Sequence, residues 1–192
     1  MKINEAIALI KSQILSKIAT RGRVIVAIDG RCGSGKTTLA QSLAASLAAT
    51  LIHADDFFLR ASQRTPDRLA EPGGNLDRER LLSELILPLS EGRDTTYRPY
   101  ICSLAALGAP VAVKAAEIVI VEGSYSHHPD LAPYYDLRVF LDTPPTLQLK
   151  RLSLREPEEK LEAFITRWIP LEEKYISALS IKDKADIVIV LD

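Results

Sequence analysis

The residues best suited by type and spacing to do chemistry are Gly30, Gly33, Ser34, Gly35, Lys36, Thr37 and Thr38, in the run Gly-Arg-Cys-Gly-Ser-Gly-Lys-Thr-Thr. The pattern is G-x-x-x-x-G-K-[ST]. Its glycines let the backbone curl so that successive N–H groups converge on a phosphate. A helix opening at Lys36 adds the positive end of its dipole. Lys36 is placed to reach the β- and γ-phosphates of ATP, and Thr37 offers a hydroxyl to Mg²⁺. Thr38 is expected to bond the α-phosphate. Cys32 fills an unrestricted position of the pattern and reads as a tolerated small side chain, not as an activated thiol.

Phosphoryl transfer to a hydroxyl also needs a metal ligand and a base. Asp55, Glu122 and Asp142 each follow an apolar run of strand length. The carboxyl ends of strands are where open α/β sheets bind ligands. Glu122 is the natural metal-side carboxylate and Asp55 the natural base. Asp142, before Thr143-Pro144, reads as a helix cap, and Asp56 as solvated or ambiguous. Arg151 and Arg155 stand four apart on one helix face, as a lid over the transferring phosphate requires. Tyr125 is a candidate for the wall of an acceptor pocket. His127 and His128 lack metal-site spacing and read as surface loop residues. Trp168 reads as a core or interface residue.

The elements that must position these groups alternate. Residues 3–19 carry isoleucines at helical spacing, and 24–28 form a β-branched run of buried-strand length. A helix is expected over 36–50, a weaker strand over 51–54 and a polar loop over 60–77. Asp77 then caps a helix over 78–90, and 93–113 is irregular or hairpin-like. Strands follow at 118–121, 137–142 and 186–190, with helices from Pro144 or Pro145 to about 155 and over about 158–179. This predicts an α/β fold, three-layered, with a mainly five-stranded parallel sheet covered on both faces.

Composition narrows the function classes. The chain has 192 residues, 47 % of them hydrophobic, and a net charge of −1. That suits one globular domain and gives no basic field for nucleic acid. Two distant cysteines make no disulfide framework, and no apolar run is long enough to span a membrane. A reduced cytoplasmic protein is the expectation, with no nucleic-acid or membrane partner. The oligomeric state is left open.

The segments A-I-D-G-x-x-G-S-G-K-T-T, A-D-D-F-F, V-I-V-E-G, D-L-x-V-F-L-D and R-L-x-L-R-E resemble the uridine kinase family of P-loop kinases. That group includes phosphoribulokinase and bacterial pantothenate kinase. The resemblance covers roughly residues 22 to 190. It implies strand order 2-3-1-4-5 and a single kinase domain over 1–192, with an acceptor-binding insertion at about 57–115 and a short lid at about 151–160. It implies an ATP- and Mg²⁺-dependent phosphotransferase acting on an alcohol, most simply a nucleoside such as uridine or cytidine. Asp55 matches the family's base and Glu122 its E-G carboxylate. Asp77 matches an aspartate that binds the nucleoside sugar, Tyr100 a tyrosine that contacts the base, and Arg167 lies near a substrate-contacting position. Ile101 replaces the Asp that follows that tyrosine, and the His that reads the base has no counterpart. The family's R-G-R lid segment is also missing, since Glu156–Lys160 runs straight into the last helix. The alternatives are a kinase for another small alcohol, such as a sugar or a vitamin-like molecule, and a nucleotide-dependent switch.

Overall fold

The computed structural model describes residues 1–191. Helix α1 is Ile3–Arg21, β1 Val24–Gly30, α2 Lys36–Leu47 and β2 Thr50–His53. A short helix α3, Pro66–Ala70, interrupts the segment expected to be loop. Helical segment α4 joins Arg78–Arg80, a π-helical stretch Leu81–Ile86, and Leu87–Ser90. Four short strands follow: β3 Thr95–Tyr97, β4 Tyr100–Ile101, β5 Ala106–Leu107 and β6 Val111–Val113. Then come β7 Ile118–Glu122, β8 Leu137–Asp142 and α5 Pro145–Arg155. Helical segment α6 joins Glu158–Ala163, a π-helical stretch Phe164–Trp168, and Ile169–Ala178; β9 is Ile187–Val190.

The central sheet has five parallel strands in the order β2-β7-β1-β8-β9, which is 2-3-1-4-5 among the sheet strands alone. β1 lies in the middle, and every one of its residues is buried. Alternation along the strands sends side chains to two cores. Val24, Val26 and Ile28 pack with Ile118, Ile120, Val139 and Leu141 under α1 and α2. Ile25, Val119, Val121 and Phe140 face the other way, toward Leu81, Leu85, Tyr175 and Ile176 of α4 and α6. The hairpin-like segment resolves into two antiparallel pairs, β3 with β6 and β4 with β5.

Both π-helical stretches have a visible cause. Pro88 and Pro170 lie just beyond them. A proline inside a helix removes one N–H and crowds the carbonyl four residues earlier, and a widened turn relieves both. No helix among the described residues is long and apolar enough to cross a membrane.

Two sequence expectations fail in the fold. His127 and His128 are buried, not surface residues. Asp29, at the end of β1, explains His127: one carboxylate oxygen accepts the His127 backbone N–H at 2.9 Å, and His127 Nε2 meets the Ala27 carbonyl at 3.1 Å. Burial pushes the pKa of the His127 imidazole below its ordinary value. Asp142 is not the cap of α5, whose cap position is Pro144. Its carboxylate accepts the Thr143 N–H at 2.8 Å and pairs with Arg31 and with Lys182. Asp77 does cap α4, accepting the Arg80 N–H at 3.3 Å.

Candidate functional site

The loop between β1 and α2 opens at the carboxyl edge of the sheet, on one wall of a cavity of about 640 Å³. Gly30 makes the turn with φ of 144°, and a Cβ there would fall 2.0 Å from the Leu141 carbonyl oxygen on β8. Only glycine lets the loop leave the strand so close to its neighbour. Gly33, Gly35, Lys36, Thr37 and Thr38 all line the cavity. The Lys36 ammonium donates to the Gly30 carbonyl at 2.7 Å and to the Arg31 carbonyl at 3.1 Å, which holds it over the loop. Ser34 Oγ is buried with no partner among the described residues.

The carboxylates converge on this loop because β2 and β7 run parallel beside β1. Glu122 ends β7, and the Thr37 hydroxyl lies 3.3 and 3.2 Å from its two oxygens. His53, at the end of β2, meets the same carboxylate with Nδ1 at 2.5 Å. That hydrogen bond is the main cause of a raised His53 pKa. Asp55 follows in a 3-10 turn, Ala54–Phe57. Its side chain is open to the cavity, yet protein surrounds it closely enough that burial lifts its pKa to about 6. Lys36 opposes that rise, and Glu122 and Glu172 add to it. Gly123, with φ of 139°, makes room: a Cβ there would lie 2.9 Å from Ala54 Cβ and 3.1 Å from Asp55 Oδ1.

The sites read from sequence divide into two groups. Asp55, Glu122, Tyr125, Arg151 and Arg155 line the same cavity as the loop. Tyr125 has φ of 71°, a left-handed conformation that is strained for a side-chain-bearing residue. Arg155 pairs with Glu156 at 2.7 Å, and Arg151 Nη1 lies 3.3 Å from the Gly33 carbonyl. Asp77, Tyr100 and Arg167 do not line it. The Asp77 carboxylate is fully buried and engaged by Gln63 Nε2 at 2.8 Å and by the Arg80 N–H. Arg167 is exposed and stacks over Trp168, 4.5 Å from its ring centre. Trp168 is not a core residue: it is half-buried and lines the cavity with Phe164. Asp56 accepts from the Tyr97 hydroxyl at 2.6 Å, whose ring stacks on Phe57.

Glu172 was not legible in the sequence. It is buried on α6, and its two oxygens accept the Cys32 N–H at 2.8 Å and the Ser124 hydroxyl at 2.7 Å. It thereby ties the far end of the chain to the phosphate-type loop. Burial, with Glu172 nearby, pushes the Cys32 thiol up to about 12, so the thiol stays protonated at neutral pH. Nothing short of the folded contact marks Glu172, because it stands among other acidic residues in a helix with no motif around it.

No family model matches the chain. In sequence, a uridine kinase of Ureaplasma parvum serovar 3 is 25 % identical over 161 residues, spanning 78 % of this chain and 78 % of that protein. In structure, a possible uridine kinase from Bacillus stearothermophilus superposes with a TM-score of 0.75 at 23 % identity, covering 100 % of both chains. A fructose transport system kinase, assigned on the same provisional footing, from Silicibacter sp. TM1040 superposes with a TM-score of 0.68 at 23 % identity, over 95 % of this chain and 98 % of that one. The chain is uridine kinase-like in sequence and a P-loop kinase in fold. The loop and the residues from Asp55 to Trp168 named above line one cavity of that fold.

Proposed function

We propose that the protein transfers the γ-phosphoryl group of ATP, with Mg²⁺, to a hydroxyl of a small metabolite. The observation that carries this reading is the meeting of four groups in one cavity: the Lys36 loop, the Thr37–Glu122 pair, the Asp55 carboxylate, and Arg151 with Arg155.

The donor set suits the groups it is proposed to hold. The first N–H groups of α2 have no intrahelical acceptors, and phosphate oxygens can take them. Ser34 Oγ is a buried donor awaiting a partner. Thr37 and Glu122 offer hard oxygens, as Mg²⁺ prefers. In this reading the nucleotide's phosphates and water would complete the shell around Thr37 and Glu122. Mg²⁺ bound there would neutralise charge developing on the β- and γ-oxygens.

Each chain group then has one task. Lys36 places positive charge beside the phosphates. Asp55 accepts the acceptor's hydroxyl proton; with its pKa near 6 it is ionised at neutral pH yet still basic enough to take a proton. Arg151 and Arg155 come from α5, line the same cavity as Asp55, and offset charge on the transferring oxygens. Glu172 holds the loop in place through the Cys32 N–H. In this proposal residues 57–115 form the acceptor side and 151–160 the lid.

The relatives named uridine kinase support a nucleoside as the acceptor, and a sugar-like alcohol is the second choice. The test is ATP consumption with and without a panel of metabolite alcohols. A kinase consumes ATP only with the right alcohol, whereas a nucleotide-driven switch hydrolyses ATP without one. Alcohol-independent hydrolysis at the same rate would defeat the proposal.

A further inference from the structure

The acceptor side of the cavity contains a cation without a counter-ion. The insertion from Phe57 to Arg98 is rich in arginine, and most of these arginines are paired. Arg60 faces Asp77, Arg68 binds Glu79, Arg78 binds Asp130 and Glu71, and Arg80 binds Glu84. Arg64 differs. It is half-buried, it lines the cavity, and no carboxylate lies within ion-pair distance of it among the described residues. Its Nε donates to the Leu59 carbonyl at 2.9 Å, and its guanidinium carbon lies 5.8 Å from the centre of the Tyr100 ring. Those contacts fix the plane of the group and leave both terminal nitrogens as donors.

Beside it stands Asn75. Asn75 is 7 % exposed, lines the same cavity, and its Oδ1 is buried with no partner among the described residues. The two residues are held by a single clamp. The Leu59 N–H donates to the Asn75 carbonyl at 3.0 Å, and the Leu59 carbonyl accepts from Arg64. Leu59 itself is 1 % exposed, so the clamp is rigid. A half-buried guanidinium and a buried amide oxygen both cost stability when unpaired, unless a ligand completes them.

We propose that the phosphoryl acceptor is a small hydroxylated anion, whose carboxylate or phosphate is read by Arg64 and one of whose hydroxyls donates to Asn75 Oδ1. This rests on the kinase reading and narrows its substrate class. A guanidinium fork matches the two oxygens of a carboxylate or phosphate. Asn75 Oδ1 can only accept, so it selects a hydroxyl or N–H. Asp55, on the same wall, takes the proton of the reacting hydroxyl.

The experiment measures kcat/KM with saturating MgATP for matched pairs: ribose against ribose 5-phosphate, and glucose against gluconate, with uridine as the neutral nucleoside. The sugar phosphate and the sugar acid distinguish the two sources of negative charge. The expected result is a preference of about 10²-fold or more for one anionic member over its neutral partner, the range lost when a buried polar readout goes unpaired. In Arg64→Gln that preference should collapse through KM, with kcat within a few-fold and the MgATP-induced rise in Tm unchanged. Arg64→Lys should restore part of it. Equal efficiencies, a neutral member in front, or no use of either anion overturn the proposal, and turnover of uridine would leave the kinase reading standing. Absence of any MgATP effect on the wild-type Tm would instead remove the kinase reading, and this proposal with it.

Discussion

The two walls of the cavity are built on different plans. The nucleotide wall is local: Gly30 to Thr38 are contiguous, they join the central strand to α2, and their partners Glu122 and His53 end the neighbouring parallel strands. The acceptor wall is collected from afar. Arg64 and Asn75 come from a loop, Tyr125 from the turn after β7, and Phe164, Trp168 and Glu172 from α6. A local wall is fixed by backbone geometry, so a short motif specifies it. A collected wall is fixed by packing, and its chemistry varies with single side chains. The chain carries the G-x-x-x-x-G-K-[ST] pattern of the first wall whole, and no contiguous pattern spans the second.

The sharpest way to break the comparison is at Lys36. Lys36→Ala removes the ammonium that sits over the loop while leaving the helix that follows a good helix former. Phosphoryl transfer should fall to background with every acceptor, and the MgATP-induced rise in Tm should shrink toward zero. Retained turnover would mean that the local wall is not the nucleotide wall.

Asp55 lies where the walls meet. Asp55→Asn should lower kcat by about 10²–10⁴, the usual loss for a general base, and leave MgATP affinity nearly unchanged. Its raised pKa gives two pH signatures. The wild-type kcat should fall as pH drops through about 6, because protonation removes the base. The stability effect has the opposite sense. In the unfolded chain an aspartate titrates at about 3.9, so between that value and about 6 the folded state binds the extra proton. The ionised group therefore destabilises the fold. The penalty is absent below pH about 4 and fully present above pH about 6. The nucleotide-free Asn variant should melt above the wild type at pH 7 to 8, and the gap should close on acidification. A variant that melts lower at every pH would show Asp55 to be structural.

How much was legible follows the same division. The five sheet strands, the placing of Asp55 and Glu122 at strand ends, and the shared helix face of Arg151 and Arg155 follow from motifs and periodicity, because each depends on near neighbours in sequence; the strand order follows only from the family resemblance. The burial of His127 and His128 does not follow from sequence, because a histidine pair after a strand looks solvated until Asp29 and the Ala27 carbonyl are brought beneath it. The place of Trp168 on the cavity wall does not follow from sequence, because a helical apolar stripe cannot show which way a widened turn rotates it. Asp29 was visible in the strand and remained unassigned, since its partners Tyr175 and His127 lie about a hundred residues or more away. The role of Glu172 is hidden for the same reason, since its partner Cys32 lies 140 residues away.

Asp29 offers a test of how α6 is held to the sheet. The Tyr175 hydroxyl donates to it at 2.7 Å, and both side chains are about 1 % exposed. Tyr175→Phe deletes one bond to a buried carboxylate and should cost about 1.5–3 kcal/mol in denaturant melts. KM for the acceptor should rise at the same time, because α6 carries Phe164, Trp168 and Glu172. A loss of stability with unchanged KM would show that the collected wall does not depend on this anchor.

The smallest expected effect concerns the two prolines, and it separates the walls most finely. Pro170 follows the π-helical stretch that carries Phe164 and Trp168, while Pro88 follows one whose residues Leu81, Leu85 and Ile86 sit in the core. Alanine restores an N–H and removes the ring's clash, so each helix is free to recover a regular turn. In Pro88→Ala that change stays within α4, away from the cavity, and kinetics should be unaltered. In Pro170→Ala the regular ladder would rotate Phe164 and Trp168 relative to the wall they line. The expected outcome is an acceptor KM raised by roughly two- to five-fold, the scale of losing part of an apolar contact worth less than about 1 kcal/mol. kcat and MgATP affinity should hold, since Lys36, Asp55 and Glu122 sit on other elements. Equal behaviour of the two variants would mean that the widened turn in α6 is a packing accommodation and not what aims its aromatic rings.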